Sequence, residues 1–279
     1  MNGAMMPAPR ELDPSASPQA LFGYELRRHR TAAGWTMEQL AQKICFSLAL
    51  VGMVETARRT PSRDFAERCD EALKLDGALL RLWPFINRAS TPAWFRPWLD
   101  IEREAGTLHT WQPLIVPGLL QTEEYARAIL LGEPRVSPEQ VEDHVAARIE
   151  RQRIFERLEP PMFWAVLDEG VLRRPVGSAQ VMADQLTRLL EAGTLPYITV
   201  QILPLSTYST TGLEGGFIIA QTRGVPDTVY LESAGHGQVV DRAEAVEDLT
   251  TRYEVIRAEA LPQRASLDLI RETIERWTT

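Results

Sequence analysis

The sequence predicts two domains of different class: a small all-α domain over residues 20–82 and a larger α+β domain with about four strands over residues 99–279. Three observations predict this. A length of 279 residues exceeds one ordinary domain, at roughly 150 residues each. Residues 20–82 show helical spacing throughout, whereas strand-like and helical patterns mix beyond residue 98. Charge divides in the same region. The whole chain carries −8, yet residues 16–90 hold 11 Lys and Arg against 8 Asp and Glu, while residues 91–279 hold 18 against 28. An acidic body repels a polyanion, so nucleic-acid contact belongs to the N-terminal part.

Composition removes several classes. With 44% hydrophobic residues the chain has ample material for a packed core. No stretch reaches the ~18 uninterrupted apolar residues of a membrane span, so no membrane partner is expected. Residues 1–19, rich in Pro, Ala and Ser, read as a disordered tail and not as a signal or transit peptide. Cys45 and Cys69 are the two cysteines. They make neither a disulfide framework nor a metal site, which fits a reducing cytoplasm. No cofactor is indicated.

The elements follow in order. Leu21, Tyr24 and Leu26 begin an apolar stripe that Gly34 stops. Thr36 with Gln39 has capping-box spacing and opens the short helix TMEQLAQKI, which breaks at Cys45-Phe46. Ser47 caps LALVGMVE. Thr60-Pro61-Ser62 marks a turn before FAERCDEAL. That makes at least four short helices. Residues 83–98, WPFINRASTPAWFRPW, are too aromatic for a floppy linker and read as a seam packing between the domains. Beyond it, LLQTEEYARAIL and residues 137–158 read as helices, the second long and charged. MFWAVLD, YITVQIL, GGFIIAQT and TVYLES read as strands. SAQVMADQLTRLLEAG, closed by Gly193, and two C-terminal stretches read as further helices.

Two short helices joined by a four-residue turn, behind a preceding helix, have helix-turn-helix geometry. Leu26-Arg27-Arg28-His29-Arg30, Gly34, Thr36-Met37-Glu38-Gln39-Leu40-Ala41, Ser47, Val51, Val54-Glu55 and Arg58-Arg59-Thr60-Pro61 resemble the Xre/Cro-type helix-turn-helix family. The resemblance implies a five-helix, lambda-repressor-like domain that binds double-stranded operator DNA, with Arg30 and Glu55 as a structural salt bridge. The amide end of the second helix, at Thr36 and Met37, is an anion site suited to a backbone phosphate. Arg58 and Arg59 would grip phosphate beyond the recognition helix, and dimerisation on paired half-sites follows.

The departures bear on specificity. Met37 stands where the family often has a phosphate-contacting Gln. The recognition positions carry Leu48, Ala49, Gly52 and Met53, none able to make a bidentate bond to a base. Ser47 is the one hydroxyl there. Such a helix reads thymine methyls or DNA shape, or it serves as a protein-contact surface. Cys45 occupies the turn position usually held by Gly, so a left-handed backbone there would be mildly strained.

A second resemblance rests on Val116-Pro117-Gly118-Leu119-Leu120-Gln121-Thr122, Tyr125-Ala126, Arg148, Arg151-Gln152, Leu167-Asp168-Glu169, Leu172-Arg173-Arg174-Pro175-Val176-Gly177, Gln185-Leu186, Val200-Gln201-Ile202-Leu203-Pro204, Phe217 and Val229-Tyr230-Leu231-Glu232. Together they resemble the domain of unknown function in WhiJ-like, antitoxin-like regulators of high-GC filamentous bacteria. This implies a cytoplasmic, homodimeric transcriptional regulator, often encoded beside a small partner protein, and no enzyme activity. Pro117, Gly118, Leu119, Gln121, Glu169, Arg173 and Arg174 are the candidate residues for a partner or a small-molecule effector. The alternative is an antitoxin-like interaction module with little DNA readout.

Chemistry elsewhere is sparse. Asp168-Glu169 beside Arg173-Arg174 fits a strand-to-helix turn with surface ion pairs better than an acid pair beside an anion clamp. His109, His144 and His236 lack ligand spacing. Gly212–Gly216 precedes a strand, whereas phosphate-cradling loops follow one. Ser206, Ser209 and Ser233 lack a nucleophile-elbow context.

Overall fold

Ser17 starts the first helix, α1 (Pro18–Ala32): its hydroxyl accepts the Ala20 N–H, and Pro18 sits in the first turn, where a missing N–H is harmless. The computed structural model describes residues 12–233 and 235–278, with the side chains of residues 87–90 outside the description. Most of the expected N-terminal tail, residues 1–11, therefore lies outside the described residues, and Pro18 and Gln19 belong to α1. The chain divides into two units, Met1–Thr91 and Pro92–Thr279.

In the first unit α1 ends at Gly34 (φ +73°). The Gly34 N–H donates to Thr31 and the Trp35 N–H to Arg30, a Schellman ending that needs a left-handed residue. Then follow α2 (Met37–Ile44), α3 (Leu48–Glu55), α4 (Arg63–Leu73) and α5 (Ala78–Ser90). Ser47 and Ser62 cap α3 and α4 through their hydroxyls. The start of α5 is held from α4, where the buried carboxylate of Asp70 accepts the Leu79 and Leu80 N–H groups at 2.9 and 2.8 Å.

Phe22, Leu26, Leu40, Ile44, Val51, Phe65, Leu79 and Ile86 form one buried core. Gly23 lets α1 approach α3, since a Cβ there would lie 2.5 Å from the Val54 carbonyl oxygen. Cys45 (φ +59°) and Ala57 (φ +54°) take the left-handed conformation that glycine prefers. Each costs about 1 kcal/mol. One fully buried Leu or Phe contributes about 1.5–3 kcal/mol, so the core tolerates both.

The second unit opens with α6 (Arg96–Glu104) and β1 (Thr107–Gln112). A 3-10 turn (Gly118–Leu120), α7 (Glu123–Leu131) and α8 (Pro138–Arg151) lead through a second 3-10 turn (Gln152–Glu156) to β2 (Met162–Asp168). Helices α9 (Glu169–Arg173) and α10 (Ala179–Ala192) precede β3 (Ile198–Leu203). Then come β4 (Phe217–Gln221), β5 (Thr228–Ser233), β6 (His236–Val240), α11 (Ala243–Glu259) and α12 (Gln263–Thr278).

Among the described residues the sheet has six strands in the order β3-β2-β1-β4-β5-β6. The first three are mutually parallel, while β4, β5 and β6 are added antiparallel. One face, with Leu108, Phe163, Ala165, Val200, Ile218 and Tyr230, packs beneath α6, α7 and α10 through Trp98, Tyr125 and Leu186. On the other face Trp111, Val166, Phe217 and Val229 meet Val246, Tyr253 and Ile256 of α11.

Three expectations are corrected. The strand count is six, not about four: β1 and β6 lack strong strand signals, because β1 is interrupted by Thr, His and Gln, and β6 is a half-exposed edge containing glycine. The helix expected over 137–158 ends at Arg151 and tightens into the 3-10 turn, where the Gln152 side chain donates to the Gly118 and Gln121 carbonyls. The aromatic stretch 83–98 includes the end of α5. Trp83 and Ile86 lie in the core of the first unit, and Trp98 lies in that of the second, stacked on Tyr230 at 5.2 Å.

Candidate nucleic-acid interface

The turn between α2 and α3 is built from local signals. Thr36 Oγ1 accepts the Gln39 N–H at 3.1 Å, while Gln39 Oε1 accepts the Thr36 N–H at 2.8 Å, a reciprocal box that sets where α2 begins. At its far end the left-handed Cys45 donates its N–H to Gln42, and the Phe46 N–H reaches Ala41. Ser47 Oγ then accepts the Leu50 N–H. Leu40, Ala41, Ile44, Val51 and Val54 are buried between the two helices and their neighbours.

An ion pair joins α3 to α1. Arg30 Nε and Nη2 donate to the two carboxylate oxygens of Glu55 at 2.5 and 2.8 Å, and Arg30 Nη1 donates to the Trp35 carbonyl. Both side chains are buried, and the Glu55 carboxylate raises the Arg30 pKa above its ordinary value. Arg27 adds a bond from Nη2 to the Glu55 carbonyl at 3.0 Å. Sequence reasoning assigned Arg27 no role. Its position one turn before Arg30, on the same face, is the signal that could have found it.

These contacts leave one face of α3 outward. Leu48 and Ala49 are exposed and Gly52 and Met53 half-buried, whereas Val51, Val54 and Glu55 point inward. A Cβ on Gly52 would meet nothing within 4 Å. At the helix starts Thr36, Met37 and Ser47 are exposed. Arg58 is exposed just past α3, its N–H donating to the Met53 carbonyl, and Arg59 is half-buried. The sequence spacing gives Gln39 only a capping role; it is exposed, and its amide nitrogen is not used by the box. The arrangement offers helix-start N–H groups and an arginine for phosphate, and an apolar helix face for base methyls.

The C-terminal candidates fall into two groups. Pro117, Leu119 and Gln121 are buried, and Gly118 is half-buried in the 3-10 turn. The Gln121 amide donates to the Val116 carbonyl at 2.6 Å and accepts from Arg148 at 2.8 Å. The Thr122 N–H and Leu120 carbonyl are both held by the Gln185 amide. This segment is anchored within its own unit. Elsewhere, Glu169 pairs with Arg173 and accepts the Leu205 N–H, Asp168 caps α9 through the Gly170 N–H, and Arg173 and Arg174 are exposed. Glu169 thus braces a strand-to-helix turn. Gly212 is a close-approach glycine whose carbonyl accepts the Trp111 indole N–H at 2.8 Å, and a Cβ there would strike the ring at 2.5 Å. Among the described residues no group of His, Cys, Asp and Glu is arranged to hold a metal ion, and no helix is long and apolar enough to cross a membrane.

Comparison with known proteins agrees with both units. A family model described as a helix-turn-helix domain matches residues 21–83, and one described as a domain of unknown function (DUF5753) matches residues 95–272. No curated protein and no solved structure matches the chain. The longer match covers more than half of the sequence, and the chain belongs to the DUF5753 family, with a helix-turn-helix domain at its N-terminal end.

Proposed function

We propose that this protein is a cytoplasmic, sequence-specific DNA-binding transcriptional regulator that docks α3 in the major groove as a homodimer. The supporting observation is the outward face of α3, held by the buried Arg30–Glu55 pair and followed by the exposed Arg58. Thr36, Met37, Arg58 and Arg59 position the domain on phosphate, while Leu48, Ala49 and Met53 read thymine methyls and groove shape. The C-terminal unit receives a regulatory input, from a small partner protein or a small-molecule effector, and passes it to the reader by changing dimer geometry. The role is non-enzymatic.

Substituting Arg58 and Arg59 together by Ala tests the reading. DNA affinity should fall and the salt dependence of binding should become shallower. One observation favours a second reading. Leu48 is 48% exposed and Met37 40% exposed, and apolar side chains so placed also suit a protein surface. In that antitoxin-like reading the double variant leaves DNA behaviour unchanged, and charged substitutions at Leu48 abolish partner binding.

A further inference from the structure

The two edges of the six-stranded sheet are finished differently. At the β3 edge the chain seals its own hydrogen bonds. The Ile202 N–H donates to the buried Ser266 hydroxyl at 3.0 Å, the Ile202 carbonyl accepts the Leu261 N–H at 2.9 Å, and the Ile198 N–H donates to the Leu195 carbonyl. The Gln201 side chain adds a bond to the Leu261 carbonyl at 2.9 Å. An edge covered in this way is closed to a further strand.

The β6 edge is open, and the register shows which groups it presents. The Glu232 N–H donates to the Gly216 carbonyl, on the β4 side, at 3.1 Å. Hydrogen-bonding direction alternates along a strand, so Leu231 and Ser233 face β6 and bond their register partners Gln238 and His236. Gly237 and Val239 therefore aim their N–H and C=O groups away from the sheet. Among the described residues neither has a main-chain partner beyond it. His236–Val240 contains no proline, lysine, arginine or carboxylate, so the usual devices that blunt an edge are absent. His236 and Gln238 are exposed.

The strand is nevertheless held firmly. Val239 packs against the core on one face of the sheet and Val240 against the core on the other. Between His236 and Gln238 only glycine fits, because a Cβ at Gly237 would overlap the Tyr230 hydroxyl. An extended, anchored strand with free outward groups is a template for pairing.

We propose that β6 pairs antiparallel with β6 of a second copy of this chain, about a two-fold axis at Gln238. In that register Gly237 of each copy lies opposite the partner's Val239, and the two pairs exchange four N–H···O bonds. Gln238 meets the partner's Gln238 in a non-hydrogen-bonded pair, where side chains lie closest, and the two amides donate to and accept from each other. Asp241 and Arg242 then fall beside the partner's Gly235 turn, so like charges do not oppose. A second copy fits this edge better than a loose peptide. A flexible segment must lose backbone freedom to become a strand, whereas a second β6 is already extended on β5. The proposal supplies the interface of the proposed homodimer and rests on that reading for its partner.

The test is sedimentation of the full chain, without DNA, over a concentration series. The unaltered chain is expected to dimerise. Val239→Pro removes an outward N–H without touching the β5 ladder, and should weaken the dimer at least about tenfold, because each dimer loses two of its hydrogen bonds. Should Val239→Pro fail to fold, Gln238→Lys, at an exposed position, sets like charges face to face and is expected to weaken the dimer likewise. Cross-linking tests the register. With the exposed Cys45 changed to Ser, Gln238→Cys should form an intermolecular disulfide on mild oxidation. His236→Cys, opposite the partner's Val240, should not. A chain that stays monomeric at every concentration, or a dimer indifferent to the folded Val239→Pro and Gln238→Lys variants, would overturn the proposal. Preferential cross-linking of His236→Cys would overturn the register. With no DNA present, a failure of DNA recognition leaves this interface standing, and a dimer joined elsewhere leaves DNA recognition standing.

Discussion

Arg30 of α1 and Glu55 at the end of α3 share two hydrogen bonds in the interior, and this pair fixes α3 to α1. A buried pair of this kind adds little net stability against a well-packed apolar substitute, but breaking it leaves a buried charge unpaired. Glu55→Ala is therefore expected to lower the stability of the first unit by about 3–5 kcal/mol. Denaturant unfolding followed by fluorescence of Trp35 and Trp83 measures it. A loss below about 1 kcal/mol, the scale of an exposed ion pair, would show that the pair is not what holds α3.

The left-handed residues give a prediction of opposite sign. Cys45 and Ala57 both close helices with positive φ. Replacing either by Gly is expected to stabilise the first unit by about 0.5–1 kcal/mol. Unchanged or lower stability in both variants would mean that greater freedom of the unfolded chain cancels the relief.

Base readout can be tested separately from phosphate grip. Ala49 and Met53 lie on the outward side of α3, and Ala49 is exposed. Changing either to Gln adds a side chain able to bond adenine at two points, and selection from a randomised DNA pool should return an altered preference. An unchanged profile would mean that α3 does not face bases.

His109 provides a pH dependence. Its Nε2 lies 3.2 Å from Gln221 Oε1, its Nδ1 is buried without a partner, and its ring is packed against Trp164 and Tyr253. Burial lowers its pKa in the folded state despite the opposing effect of Gln221. The unfolded chain therefore binds this proton more readily. The resulting penalty is absent well above the ordinary histidine pKa of about 6.5 and grows as pH falls through it. His144 shifts in the same direction, also through burial. His109→Gln is thus expected to flatten, though not abolish, the loss of stability between about pH 7 and 5, as read by thermal unfolding across pH. Parallel curves for the variant and the parent would contradict this.

What was legible in the sequence was what is local. Gly34, the Thr36–Gln39 box and the Ser47 cap act over a few residues, so spacing alone locates α2 and α3. Strand β1 was missed because its polar residues find partners far along the chain: His109 meets Gln221, Thr110 donates to the Phe217 carbonyl, and Gln112 meets Glu232. Without those partners, buried Thr and Gln read as loop. Gln121, Arg148 and Gln185 stand out as parts of a resemblance, but their hydrogen bonds depend on how the 3-10 turn, α8 and α10 pack together.

The most direct test of the central claim is binding of the purified full chain to the DNA upstream of its own coding sequence, against a scrambled duplex, across a salt series. A sequence-specific reader should prefer the upstream DNA even as salt rises, with affinity and salt slope both reduced in Arg58→Ala, the slope by about one unit. Weak binding to both duplexes, erased by salt and indifferent to Arg58, would contradict it.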